Sequence, residues 1–339
     1  MRRPIFLSVA VAVTLLPSPR VAAEEATPPT QGTLLIGVLE DGVAAPGVRP
    51  KPHVRVLFRH TVAGGWEAFP NDCLSQECLA RISKKYPPRS TWTVSLAGLT
   101  VGTVVGRTPA AFHSYQEIGL QDITSKGPMP FVGRPSIEYA GAVGEPVLRP
   151  LLATSGGPKP QRSQAGWREG SPDPEDLDRV WPAFRRLVPM IDNCPLAEPA
   201  TSDSPADSQT QAGTNDDAEV PPGRQPHKLD LEIPVAWVAR NGEAFLRVAV
   251  RPEVYIECDG PRGFPSQLWF HREATGRVRA LPGQLAEDRA DLVAPLEFTD
   301  LLRDGHDEVL FRAAGHDRGG YVLYYDRLQK RVAHMWAYR

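Results

Sequence analysis

Short runs of apolar, β-branched and aromatic residues recur along the chain, each bounded by Gly or Pro and each too short for a buried helix. Residues 32–40 (GTLLIGVLE), 53–59 (HVRVLFR), 91–96 (TWTVSL) and 99–107 (LTVGTVVGR) therefore predict strands. The Ala97-Gly98 step leaves almost no connection between the last two, which predicts a tight antiparallel hairpin. Residues 112–123 predict one more strand before the Gly- and Pro-rich 125–133. The pattern returns in 231–240, 244–250, 266–272, 307–312, 320–326 and 332–339. The expected fold class is mainly β, with small antiparallel sheets in an irregular, propeller-like arrangement. Closure of the sheet ring is expected through pairing of 32–40 with the C-terminal strand.

Two helical patterns interrupt the strands. Asp72 is placed to cap a short helix over 74–85, and Asp173 followed by Pro174 reads as an N-cap with proline at the first helical position. In the second helix Leu177, Val180, Trp181, Phe184, Leu187 and Val188 recur at helical spacing and predict a face buried in a core. Pro182 inside this pattern predicts a kink or split near Trp181. Residues 196–228 lack aromatic residues and are dominated by small and polar types, so they read as a disordered insertion. A weaker copy of that composition spans 154–175.

Composition narrows the class. With 38 Lys and Arg against 40 Asp and Glu in 339 residues, the chain has no global field for nucleic acid or an anionic membrane, so no nucleic-acid partner is expected. Its 35 Pro and 29 Gly argue against a helical bundle. The N-terminus adds an address: Arg2 and Arg3, an apolar run over 5–16, and Val21-Ala22-Ala23 before Glu24 form the pattern of a secretory signal peptide over 1–23. The expected location is periplasmic or extracellular, with no membrane span after signal removal. The remaining chain divides into a β-rich region with short helices at 24–195, the insertion at 196–228, and a second β-rich region at 229–339. The two β regions form either one domain or two.

In an oxidising compartment the even set Cys73, Cys78, Cys194 and Cys258 favours two disulfides, with Cys73 to Cys78 and Cys194 to Cys258 preferred among three connectivities. Chain entropy assigns about 2 kcal/mol to the short loop and about 4 kcal/mol to the long one. A zinc site at Cys73 and Cys78 is disfavoured because no second paired set accompanies them.

Val56-Leu57-Phe58-Arg59 recurs as Val309-Leu310-Phe311-Arg312, each copy followed by Gly-Gly and an aromatic, which suggests repeated sheet modules. Around the second copy, 299–311 (TDLLRDGHDEVLF) resembles the calcium loop of FG-GAP or VCBS-type repeats of integrin-α-like β-propellers. The resemblance covers roughly 292 to the C-terminus and implies an acidic turn feeding a buried strand, a Gly-Gly hairpin and a further strand. It places Asp300, Asp304 and Glu308 as calcium ligands and Gly305 as the turn residue. Leu302 stands at the second acidic position and Arg303 where such a loop usually carries glycine, so one carboxylate is lost and a positive charge is added. Since calcium takes six to eight oxygens, this weakens the ion strongly and favours a turn that keeps its shape without metal. His306 and His316 lie at opposite ends of the following strand, on the order of 15 Å apart, too far to share an ion.

The chain contains no G-x-S-x-G, H-E-x-x-H, Walker or G-x-G-x-x-G pattern. The expected function is a non-catalytic binding or structural role outside the cytoplasm, toward a protein or glycan. The rival is a hydrolase of polysaccharide or peptide on the same scaffold. A concave pocket with paired carboxylates, or with Ser, His and Asp together, would separate the two.

Overall fold

The computed structural model describes residues 33–41, 52–71, 75–107, 119–124, 150–187, 228, 231–250, 267–284, 291–315 and 318–337. Among the described residues the fold is mainly β with two helices, as the hydrophobic pattern predicts. Its first part contains β1 (Leu35–Asp41), β2 (Pro52–His60), β3 (Trp66–Ala68), α1 (Gln76–Ser83), β4 (Ser90–Leu96), β5 (Leu99–Gly106), β6 (Leu120–Thr124) and β7 (Leu151–Ser155). The strands run in the order β1-β7-β4-β5-β6-β2-β3, and β1 also pairs with β2. Six of them thus close into an antiparallel barrel, while β3 extends β2 beyond its short ladder with β6.

This closure corrects the expected pairing of 32–40 with the C-terminal strand. β1 is saturated by β2 on one edge and β7 on the other, so no edge remains for a third partner. The Ala97-Gly98 hairpin forms as predicted, with Leu96 opposite Leu99 and both turn residues at positive φ. Within the barrel, Leu39, Val54, Val56, Trp92, Val94 and Val104 pack together with Leu79 and Ile82 of α1 and with Tyr86. The buried Trp92 indole donates to Gln121 Oε1 at 2.7 Å, and Gln121 Nε2 donates to the Pro87 carbonyl at 2.9 Å, so these two side chains are paired inside the barrel. Helix α1 is capped by Ser75, whose Oγ accepts from the Cys78 N–H at 3.2 Å; Asp72, the expected cap, lies outside the described residues.

The second part begins with two short strands, β8 (Gln161–Arg162) and β9 (Arg168–Gly170), followed by α2 (Asp176–Leu187). Then come β10 (Leu231–Val238), β11 (Ala244–Val250), β12 (Gln267–Arg272), β13 (Val278–Ala280), β14 (Asp291–Asp300), β15 (Glu308–Ala314), β16 (Arg318–Tyr325) and β17 (Lys330–Ala337). These strands make two antiparallel four-stranded meanders, β10 to β13 and β14 to β17, with β9 added to the edge of the first and β8 to the edge of the second. The segment 154–175, whose composition suggested disorder, therefore supplies an edge strand to each sheet. The two VLFR tetrapeptides fall in unlike settings, one in the barrel strand β2 and one in the meander strand β15, so they mark no shared module. Of the insertion, 196–227 lies outside the described residues, and Lys228 pairs with Asp178 of α2.

Period-2 alternation explains the stacking. Val309, Phe311 and Ala313 of β15, with Val322 and Tyr324 of β16, face the first meander and meet Phe245 and Trp269. Their neighbours Leu310, Tyr321 and Leu323 point the other way, onto Ile36, Val38, Leu57 and Phe58 of the barrel wall. Strands buried on both faces read as continuous apolar runs, which is why YVLYY and VLFRA lack polar alternation. On the outer face of the first meander, Ala244, Leu246, Val248, Leu268 and Phe270 receive Val180, Ala183 and Phe184 of α2. The predicted stripe on α2 is thus core packing. Asp173 caps the helix reciprocally: its Oδ1 accepts from the Glu175 N–H, while Asp176 Oδ2 accepts from the Asp173 N–H. The helix runs unbroken through Pro182, which points to solvent, so the predicted split does not occur.

Two buried carboxylates tie the barrel to the second meander. Glu40 accepts from Arg55 Nε at 2.6 Å and from the Tyr321 hydroxyl at 2.6 Å, and lies 3.2 Å from His53 Nε2. Burial alone would raise its pKa, but the Arg55 charge and these hydrogen bonds outweigh it and hold the carboxyl well below its usual range. Arg55 also stacks 4.1 Å from the Trp336 ring centroid. Glu297 of β14 accepts the N–H groups of Ala97 and Gly98 at 2.9 and 2.5 Å, pinning the barrel hairpin to the sheet.

Candidate functional site

The acidic loop expected to hold calcium connects β14 to β15, and the structure assigns its carboxylates to the turn itself. Asp300, at the end of β14, accepts from the Asp304 N–H at 3.1 Å and the Gly305 N–H at 2.9 Å. Asp304 accepts from the His306 N–H at 2.9 Å, and Glu308, the first residue of β15, accepts from the Leu301 N–H at 2.8 Å. Burial raises the Glu308 pKa to about 8, and the charges of Asp304 and Asp300 push it the same way. Arg303, at the usual glycine position, keeps the left-handed conformation with φ of 59°. Among the described residues no group of three or more His, Cys, Asp or Glu side chains is disposed around a common metal position. His306 is exposed and its Nε2 takes the Arg327 guanidinium at 3.2 Å; His316 lies outside the described residues. Cys78 is disulfide-bonded, and Cys73, Cys194 and Cys258 lie outside the described residues.

The same loop forms one wall of a cleft of about 360 Å³ between the two meanders. Its other walls are the β10–β11 turn with Arg240, Asn241 and Glu243, the β12 residue His271, the β16–β17 turn at Leu328, and the segment Gln164 to Trp167 between β8 and β9. Asp307 anchors that segment: its Oδ2 accepts from the Ser163 hydroxyl and from the Trp167 indole N–H at 3.0 Å. Ser163 therefore donates to a carboxylate and is not paired with a histidine as a nucleophile would be. Trp167 stacks on Phe298 at 4.8 Å and meets Phe245 edge-on at 5.0 Å, so the cleft has an aromatic floor.

His271 is the chemical anomaly. It is 5% exposed, yet neither ring nitrogen has a hydrogen-bond partner among the described residues. Its Nε2 lies 3.5 Å from a Glu243 carboxylate oxygen without hydrogen-bond alignment, and Phe245 packs 5.1 Å from its ring. Burial, assisted by the Arg279 charge, lowers its pKa to about 4, so the ring is neutral at physiological pH and the contact is not an ion pair. Glu243 is shifted upward, by burial first and then by the neighbouring charges of Asp307 and Glu273.

No family model matches this chain, and no curated protein or solved structure matches it either.

Of the residues singled out in the sequence, Asp300 belongs to the cleft wall, whereas Asp304 and Glu308 shape the loop behind it. Glu243, His271 and Trp167 were not singled out. Each left a faint trace: a polar residue inside the apolar strand QLWFHR, an acid closing an Asn-Gly turn, and a tryptophan in a stretch of otherwise linker-like composition.

Proposed function

We propose that the chain is an exported, non-catalytic binding protein whose ligand enters the cleft between the two meanders. The observation that supports this reading is His271, a buried and neutral imidazole whose nitrogens find no hydrogen-bond partner among the described residues, lining a concave site with an aromatic floor. A buried polar group without a partner is costly, and among the buried side chains that lack one, His271 lines a cleft where an incoming ligand group can supply what is missing. The signal-like N-terminus and the FG-GAP-like loop fit the same role, with turns on a β scaffold forming the recognition surface.

A second reading, hydrolysis in the same cleft, draws on Glu243, whose raised pKa beside Asp307 and His271 suits a proton donor. One experiment addresses both. Residues 24–339 are screened against peptide and oligosaccharide arrays, hits are titrated by calorimetry, and each ligand is analysed by mass spectrometry after incubation. The binding reading expects saturable association, loss of at least tenfold in affinity in Glu243→Ala, and unchanged ligand mass. Cleaved ligand establishes the hydrolase. Binding that is indifferent to Glu243→Ala and His306→Ala removes the cleft from both.

A further inference from the structure

Resting on the reading of the cleft as a binding site, we infer that its inner end takes a primary ammonium group. Acceptors line that part of the cleft: the Glu243 carboxylate, the one ring nitrogen of the neutral His271 that carries no proton, and the carboxylate of Asp307, whose Oδ2 already takes Ser163 and Trp167. A hydroxyl offers one proton to such a set and a water two, whereas an ammonium offers three together with a charge. Charge points the same way. Among the described lining residues, Glu243, Asp300 and Asp307 stand against the guanidinium of Arg240, whose backbone is tied to the Ala165 carbonyl at the rim, while Arg327 sits behind the His306 ring.

Glu243 is built to respond. Its side chain is 31% exposed and has Asn241 beside it, and the surrounding charges are Asp307, Glu273 and Arg279, of which Arg279 lies 3.9 Å from Glu273. Two like charges near a partly desolvated carboxylate are relieved by a cation placed between them. Trp167 and Phe245 add ring surface that suits an ammonium with an apolar body. The ligand class is therefore a primary amine on a hydrophobic or aromatic stem, such as a biogenic-type amine or the end of a lysine side chain.

The test is calorimetric titration of residues 24–339 with 2-phenylethylammonium, 2-phenylethanol and trimethyl(2-phenylethyl)ammonium. The primary ammonium should bind saturably, with the alcohol and the trimethylated form each at least tenfold weaker, because one lacks the charge and the other the three donors. Glu243→Gln, at a half-exposed turn position that tolerates an isosteric change, should weaken the primary ammonium at least tenfold while the melting midpoint stays within a degree or two. Equal binding of the alcohol or the trimethylated ion overturns the inference. If an array ligand binds in a Glu243-dependent way and the amine does not compete with it, the cleft remains a binding site and the ammonium assignment falls. If neither amine nor array ligand responds to cleft substitutions, both readings fall together.

Discussion

Glu40 and Glu297 show how the same side chain acquires opposite pH behaviour from its surroundings. Glu40 faces a guanidinium, and its folded pKa lies below the unfolded value near 4.5, so its stabilisation is complete above that value and is lost as pH falls toward the folded pKa. Glu40→Gln removes the carboxylate that faces the buried Arg55 and should cost about 3–5 kcal/mol in urea denaturation at pH 7. Glu297 has only two backbone N–H donors against its burial, and its pKa rises to about 7. Its contribution has the other sign: full below about pH 4.5 and lost as pH climbs through about 7, on the order of 3 kcal/mol across that window. Glu308, raised to about 8, adds to the same trend. Stability followed from pH 5 to pH 8 should therefore fall more steeply in the native protein than in Glu297→Gln. Equal slopes would mean that the Ala97-Gly98 turn leaves Glu297 when it ionises.

At the scale of elements, turns carry the tightest constraints. Gly98 has φ of 69°, and a Cβ there would lie 2.3 Å from the Arg162 Cα, because the barrel hairpin presses against β8. Gly98→Ala combines left-handed strain with a backbone collision that no rotamer relieves, so a loss of more than about 2 kcal/mol is expected in chemical denaturation. The β14–β15 loop behaves differently. The carboxylate oxygens of Asp300, Asp304 and Glu308 already receive backbone N–H groups, so the turn is complete without an ion. A thermal melt with millimolar calcium against EDTA should show the same midpoint. An upward shift of several degrees would mean that these carboxylates exchange their backbone donors for metal.

At the scale of the molecule, stacking order decides cooperativity. Helix α2, the first meander, the second meander and the barrel lie in series, and each shares a buried face with the next. The segment carrying β8 and β9 crosses both meanders and is held by Asp307. Such continuity predicts one unfolding unit. Hydrogen exchange in rising denaturant should show peptides of the barrel strands β2 and β4 and of β11 and β15 losing protection at the same midpoint. Earlier loss from the barrel alone would show that Glu40 and Glu297 join two independently stable bodies.

What the sequence by itself determined was local. Strand runs, the Ala97-Gly98 hairpin, the capped and amphipathic α2, and the acidic turn into β15 are set by alternation, turn chemistry and capping within a few residues. Those signals survive in any tertiary context. What the tertiary structure decided is which strands meet: barrel closure through β1 and β2, the ordering of 154–175 into edge strands, and the unlike fates of the two VLFR runs. The cleft belongs to this second kind. Trp167, Glu243, His271 and Asp307 are spread over 140 residues between Trp167 and Asp307 and carry no common spacing, so only the face-to-face packing of two meanders brings them together. The traces they left in the sequence are local and ambiguous. A lone histidine in an apolar strand looks the same whether the fold satisfies it or leaves it open to a ligand, because the difference lies in neighbours that arrive from other strands.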